Sequence, residues 1–205
     1  MKVFLSLIIL FMYGCSSAKK TVSKPTSPAP TVVSTAKETI EKASAGGSTG
    51  TTIASAMELQ TQRIKNEVPG AKVERIGEGI DITFDEKQGS VLFSGNGAVL
   101  TGSGIRNLDK LIDILKVHKD TDIRVEGHTD DAGTASSNMA LSERRANAVA
   151  HYLLSGGISP HRIMIRWFGE SQPKLKGTSP VTRSENRRIE IVITANDRMK
   201  AAAKN

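Results

Sequence analysis

The sequence predicts an α+β fold, a two-layer sandwich in which helices cover one face of a mixed β-sheet, preceded by a flexible tether. Three observations predict it. Short runs alternate apolar and polar residues at period two: GIDITF (79–84), DIRVEG (122–127), IMIRWF (163–168) and RIEIVIT (188–194). Between these runs, over 105–118 and from Ser137 to Ser155, apolar residues recur at the spacing of one helix face. The stretch before them is dominated by Ser, Thr, Ala, Pro and Gly and carries neither period. Strand, helix, strand, helix and two closing strands leave one layer of helices on one layer of sheet, with right-handed crossovers.

The elements follow in order. Residues 1–14 hold Lys2, the apolar run VFLSLIILFMY and Gly14, ahead of Cys15. A spanning helix needs about 20 apolar residues, so this shorter run fits a signal peptide better than a lasting membrane span. Cys15 is the single cysteine, which excludes an intrachain disulfide and a cysteine-based metal site. Residues 15–52 read as the tether, since such composition buries too little apolar surface to offset the entropy of ordering it. A polar helical lead-in over 53–74, built on ASAMELQTQRIKNEV, stops at Pro69 and Gly70.

In GIDITF, Ile80, Ile82 and Phe84 share a face; this run is expected as the first edge of the sheet, paired with VLF across the turn-like DEKQGS. The next helix places Ile105, Leu108, Leu111, Ile112 and Leu115 together, with Ser103 as N-cap. Ile123 and Val125 face one way in DIRVEG. The second long helix stops at Gly156 and Gly157. Trp167 reads as a core residue of the strand IMIRWF, and Ile189, Ile191 and Ile193 share the inner face of the last strand. The folded domain is bounded at 75–197, with 198–205 as a basic tail.

Composition narrows the function. The 205 residues are 38% apolar and 24% charged, with a formal charge of +7, or +6 if Lys2 leaves with a signal. That excess suits nucleic acid, an anionic membrane face or an acidic polymer. Five Phe, two Tyr and one Trp are few for stacking on single-stranded nucleic acid, so no nucleic-acid partner is expected. No second histidine stands at ligand spacing from His128, so His128 reads as packing or hydrogen-bonding at a strand end, with no metal. GHTDDAG, GESQP and SGGISPH match no arrangement of nucleophile and base.

The informative stretch is GHTDDAGTASSNMALSERRANAV (127–149). At about 100° per residue, Leu141, Ala148, Val149 and Tyr152 fall on one side of the helix and Glu143, Arg144, Asn147 and His151 on the other. Arg145 and Asn138 lie inside the apolar arc. A guanidinium there needs a polar or charged partner, and helical side chains lean toward the helix N-terminus, where Asp130 and Asp131 stand. Two readings stay open: a structural salt bridge from Asp130 to Arg145, or a site for a zwitterion whose ammonium meets the aspartate and whose carboxylate meets the arginine. Strand parity adds Arg187, which shares the face of Ile189 and Ile191, whereas Arg188 shares that of Glu190.

GHTD, Gly133, NMALSERRA, the GI and GE pairs, Pro173 and NRRIEI occur in an order that resembles the OmpA C-terminal domain family, over about residues 75–195. The resemblance implies a noncatalytic domain that binds the diaminopimelate residue of the peptidoglycan stem, without cofactor. It further implies that Asp130 meets the ligand's ammonium and Arg145 its carboxylate, with Asn138 and Arg187 completing the site. The segment GTSPVTR (177–183) departs from the family's pattern. Gly14–Cys15 resembles a lipoprotein signal, which implies acylation at Cys15, palmitate included. The protein is then expected as a lipid-anchored outer-membrane protein facing the periplasm, with peptidoglycan and possible envelope proteins as partners. The alternatives are a cell-wall hydrolase using Asp130 and Asp131, and a protein-binding assembly factor.

Overall fold

The computed structural model describes the backbone of residues 47–86 and 92–204, with side chains from residue 52 on. The signal run, Gly14, Cys15 and most of the expected tether lie outside the described residues. Helix α1 (Gly47–Glu67) leads into strands β1 (Lys72–Ile76) and β2 (Gly79–Asp85), then α2 (Gly102–Val117), β3 (Thr121–His128) and α3 (Ala135–Ser155). Strand β4 (Ile163–Gly169), short helix α4 (Pro180–Asn186), β5 (Arg188–Ala195) and α5 (Asp197–Ala202) complete it. The strands form one mixed sheet in the order β1-β2-β5-β3-β4, antiparallel throughout except for the β3–β4 pair.

The α+β sandwich is as the sequence predicts, with differences in detail. The hairpin forms between β1 and β2, so GIDITF is the second strand and β1 the edge. Of the expected partner VLF, Phe93 makes only an isolated bridge to Leu100. The lead-in is less polar than its composition suggests. Ile53, Met57, Ile64 and Val68, at spacings of four and seven, are buried in the same cluster as the sheet's inner face. Helix α1 already runs through residues 47–52, assigned above to the tether.

Helix α2 is capped by Thr101, whose side chain accepts from Gly104 N at 2.9 Å, rather than by Ser103. This start turns Ile105 outward, at 36% exposed, and brings Gly104 and Asn107 inward. Trp167 is half-buried, because β4 is a sheet edge. Residues expected as a tail form α5, capped by Asn196 with Met199 packed against the core. Among the described residues no helix is long and apolar enough to cross a membrane.

Backbone contact fixes α3 against the strand ends. A Cβ on Gly127 would stand 2.3 Å from the Ser142 carbonyl oxygen, so only glycine lets β3 and α3 approach this far. Gly169, at φ +54°, would set a Cβ 3.0 Å from Met139 N, and its own N–H donates to Ser142 Oγ at 2.9 Å. Helix and both parallel strands are thereby locked where their ends meet.

The opposite face of the sheet is charged. Glu190 on β5 sits between Thr83 on β2 and Glu126 on β3. Arg124 and Arg188 donate to Glu126 and Glu190 at 2.5 and 2.6 Å. Asp81, whose Oδ1 is buried without a hydrogen-bond partner among the described residues, is pushed up to about 7 by burial and then by Glu190 and Glu126. Its folded-state value exceeds the unfolded one, so the stability it contributes is complete below about pH 4 and is lost as pH rises through 7. Asp81→Asn is therefore expected to raise the melting temperature by several degrees at pH 8 and to change it little at pH 4. Equal effects at the two pH values in thermal melts contradict this account.

Candidate functional site

At the carboxyl end of β3 a cleft of about 650 Å³ opens between the β3–α3 loop, the start of α3, the loop around Gly95 and the entry to β5. Asp130, Asn138, Arg145 and Arg187, the four residues singled out in the sequence, all line it. Asp130 is held by its own loop: its Oδ1 accepts from Ala132 N at 3.1 Å, an Asx-type turn. Gly133, at φ +100°, then turns the chain into α3. Thr134 and Ser137 form a reciprocal cap at the helix start. Asn138 donates to the Asp130 carbonyl at 3.2 Å and to Glu170 Oε2 at 2.5 Å, tying the β3–α3 loop to the end of β4.

Arg145 is buried, as its place on the apolar arc predicts, at 4% exposed. The salt bridge from Asp130 to Arg145 does not form. Arg145 donates from Nε to the Gly97 carbonyl at 2.9 Å and from Nη2 to the Gly95 carbonyl at 3.0 Å, with its guanidinium 5.2 Å from the Phe93 ring centroid. A loop 48 and 50 residues away in sequence satisfies it, a pairing that helical spacing cannot reveal. Burial lowers its pKa foremost, Glu86 opposing, yet an arginine stays cationic.

Asp130 is instead engaged by Arg187, whose Nη1 donates to its Oδ2 at 2.5 Å while Nη2 donates to Glu86. These hydrogen bonds, that to Glu86 foremost, raise the Arg187 pKa against partial burial. The face parity of β5 is borne out: Arg187 points to the cleft, and Arg188 packs on the outer face against Glu190.

Three charged lining residues escaped sequence reasoning. Glu86 follows β2, and the register pairing Asp85 with Arg188 sets it beside Arg187; that signal exists only once strand pairing is known. Arg183 stands on α4, in the segment that departs from the family pattern, and donates to Asp131 at 2.7 Å. Its hydrogen bond holds Asp131 below the usual carboxylate range. Arg144, placed by angle away from Arg145, is exposed but lines the same cleft. Adjacent helical residues are only about 100° apart, and both long side chains lean toward the helix start.

His128 does not join the cleft. It is 1% exposed, stacks on Phe168 with ring centroids 5.1 Å apart, and is kept well below the ordinary histidine range by burial. On the outer face its ligand atom lies within 4.8 Å of those of Glu126 and Glu190. Arg124 and Arg188 already supply cations to both carboxylates.

A mixed sheet with helices on one face and a cleft of paired acids and arginines beside a capped helix start is the architecture of the OmpA-like class. The chain belongs to the OmpA family, whose model matches residues 92–187. It is 29% identical over 140 residues to a protein named Probable lipoprotein YiaD of Escherichia coli, covering 67% of this chain and 63% of that one. It is 30% identical over 135 residues to the peptidoglycan-associated lipoprotein of Buchnera aphidicola, covering 66% and 77%. The chain thus spans less than two thirds of the Escherichia coli relative. In fold it is similar to the crystal structure of a MotB-like protein from Desulfovibrio vulgaris, at TM-score 0.60 and 23% identity over 78% of this chain and 96% of that one.

Arg145 closes the 93–97 loop onto α3, but the Gly95 and Gly97 carbonyls it binds belong to exposed residues that water can reach. Arg145→Ala is therefore expected to stay folded and to lose about 1–2 kcal/mol, read as a modest fall in melting temperature with an unchanged circular dichroism spectrum. A variant that fails to fold contradicts this.

Proposed function

We propose that this protein is a noncatalytic anchor that binds the diaminopimelate-bearing stem peptide of peptidoglycan. A lipid on Cys15 would hold it to the outer membrane, with the domain facing the periplasm and residues between Cys15 and α1 bridging the gap. One observation carries the reading: a buried carboxylate, Asp130, and a buried guanidinium, Arg145, meet in one cleft beside the start of the long helix α3. An ammonium can join Arg187 at Asp130. A carboxylate can meet the edge of Arg145 that Gly95 and Gly97 leave unused, within the favourable dipole of α3. The buried Thr129 hydroxyl, which has no hydrogen-bond partner among the described residues, also lines the cleft and suits a polar ligand.

The names of two relatives support the same reading, one Peptidoglycan-associated lipoprotein and the other Probable lipoprotein YiaD. Hydrolysis is less well served. A general acid needs a proton to donate, whereas both Asp130 oxygens accept hydrogen bonds and Asp131 is held low by Arg183.

Sedimentation with purified, protein-free sacculi tests the reading. Wild type is expected to co-sediment without releasing soluble fragments, and Asp130→Ala and Arg145→Ala to bind roughly ten- to a hundredfold more weakly. Arg145→Lys should fail too, since a point charge cannot replace the planar fork. Undiminished binding by folded Arg145→Ala overturns the site, and released fragments favour a hydrolase. Cys15→Ser should leave a folded protein that no longer fractionates with membranes once peptidoglycan is digested; retention there contradicts the lipid anchor.

A further inference from the structure

The charges of the cleft exceed what one zwitterion uses. Arg144, Arg145, Arg183 and Arg187 line it, against the carboxylates of Glu86 and Asp130. Arg187 is spent on those two acids, and Arg145, held by two carbonyls and Phe93, keeps one edge for a single carboxylate. The other two arginines are less committed. Arg183 gives only Nε to Asp131, in a half-exposed pair of little energetic weight, which leaves its terminal nitrogens for another acceptor. Arg144 is exposed and has no ion-pair or hydrogen-bond partner among the described residues. An ammonium on Asp130 and a carboxylate on Arg145 leave Arg144 without a counter-ion among the described residues and Arg183 with only its half-exposed pair to Asp131, on the α3 and α4 sides of one cleft.

Resting on the reading above, we propose that Arg144 and Arg183 form a second anion subsite, which takes a further carboxylate of the same stem peptide. The preferred ligand carries one ammonium and two carboxylates within reach of each other. Guanidiniums suit this task because a planar fork donates two parallel hydrogen bonds to a carboxylate and none to hold an amide in the same way. Two positions of a stem can supply the group: the free end of a diaminopimelate residue that terminates the peptide, or the α-carboxylate of a γ-linked glutamate before it. In either case the cleft discriminates stems by amidation or extension at that carboxylate, a choice that Asp130 and Arg145 alone do not make.

The test is calorimetric titration of the full chain with three synthetic peptides: alanyl-γ-glutamyl-diaminopimelate, its C-terminal amide, and the same peptide amidated at the glutamate α-carboxyl. Wild type is expected to bind the unmodified peptide about tenfold more tightly than one of the amides, and which amide is weakened identifies the source of the carboxylate. Arg144→Gln combined with Arg183→Gln should bind all three peptides alike, near the affinity of the weaker amide. Both side chains reach solvent, so the double variant should keep the wild-type circular dichroism spectrum. The proposal is overturned if wild type binds all three equally, or if the double variant keeps the preference. Loss of all binding by folded wild type would overturn the underlying reading of the cleft, and the subsite with it.

Discussion

The site depends on one steric constraint, the contact of helix α3 with the ends of β3 and β4. Gly127 lets the β3 backbone reach the Ser142 carbonyl, and Gly169 lies against Met139 while donating to Ser142 Oγ. Helix and strands are therefore in backbone contact, with no layer of side chains between them to adjust. Interiors packed at this density do not shift by fractions of an ångström without cost. The positions of Asn138 and Arg145 relative to Asp130 follow from it, since the first two ride on α3 and the last ends β3.

That rigid frame holds an unusual amount of charge. Arg145 is kept below the surface by two carbonyls and an aromatic face, which leaves its charge uncancelled by any direct carboxylate. Asp130 and Glu86 share Arg187. The charged groups Asp130, Arg145 and Arg187 are thus held in place by protein partners, and a preorganised site avoids ordering costs on binding. The ion pair of Asp130 with Arg187 also keeps the aspartate from being an isolated buried charge, which would be expensive.

Much of this was legible in the sequence, because period and parity are local. The alternation of Ile80, Ile82 and Phe84 and of Ile189, Ile191 and Ile193 gave their faces, and the apolar arc of α3 marked Arg145 and Asn138 as buried. What could not be read depends on contacts between distant segments. The partners of Arg145 are carbonyls from a glycine-containing loop with no periodic signal, so sequence alone left two readings open, and the bridge to Asp130, one of them, does not form. Glu86 enters through strand register, and the β1–β2 hairpin replaced the expected pairing with VLF because β1 was hidden in a polar-looking stretch. Helix α1 was under-read for a related reason: widely spaced Ile53, Met57 and Ile64 suffice to bury it when a sheet and α2 lie beneath.

The central claim is that the cleft between Asp130 and Arg145 receives the ligand. Nuclear magnetic resonance of the Nε–H groups of Arg145 and Arg187, during titration with a diaminopimelate-containing tripeptide, tests it most directly. The account predicts that both Nε–H signals shift saturably with the backbone amides of residues 129–138, while those of the outer-face strands that carry Arg124 and Arg188 stay unmoved. Shifts confined to the outer face, or none at saturating peptide, would contradict it.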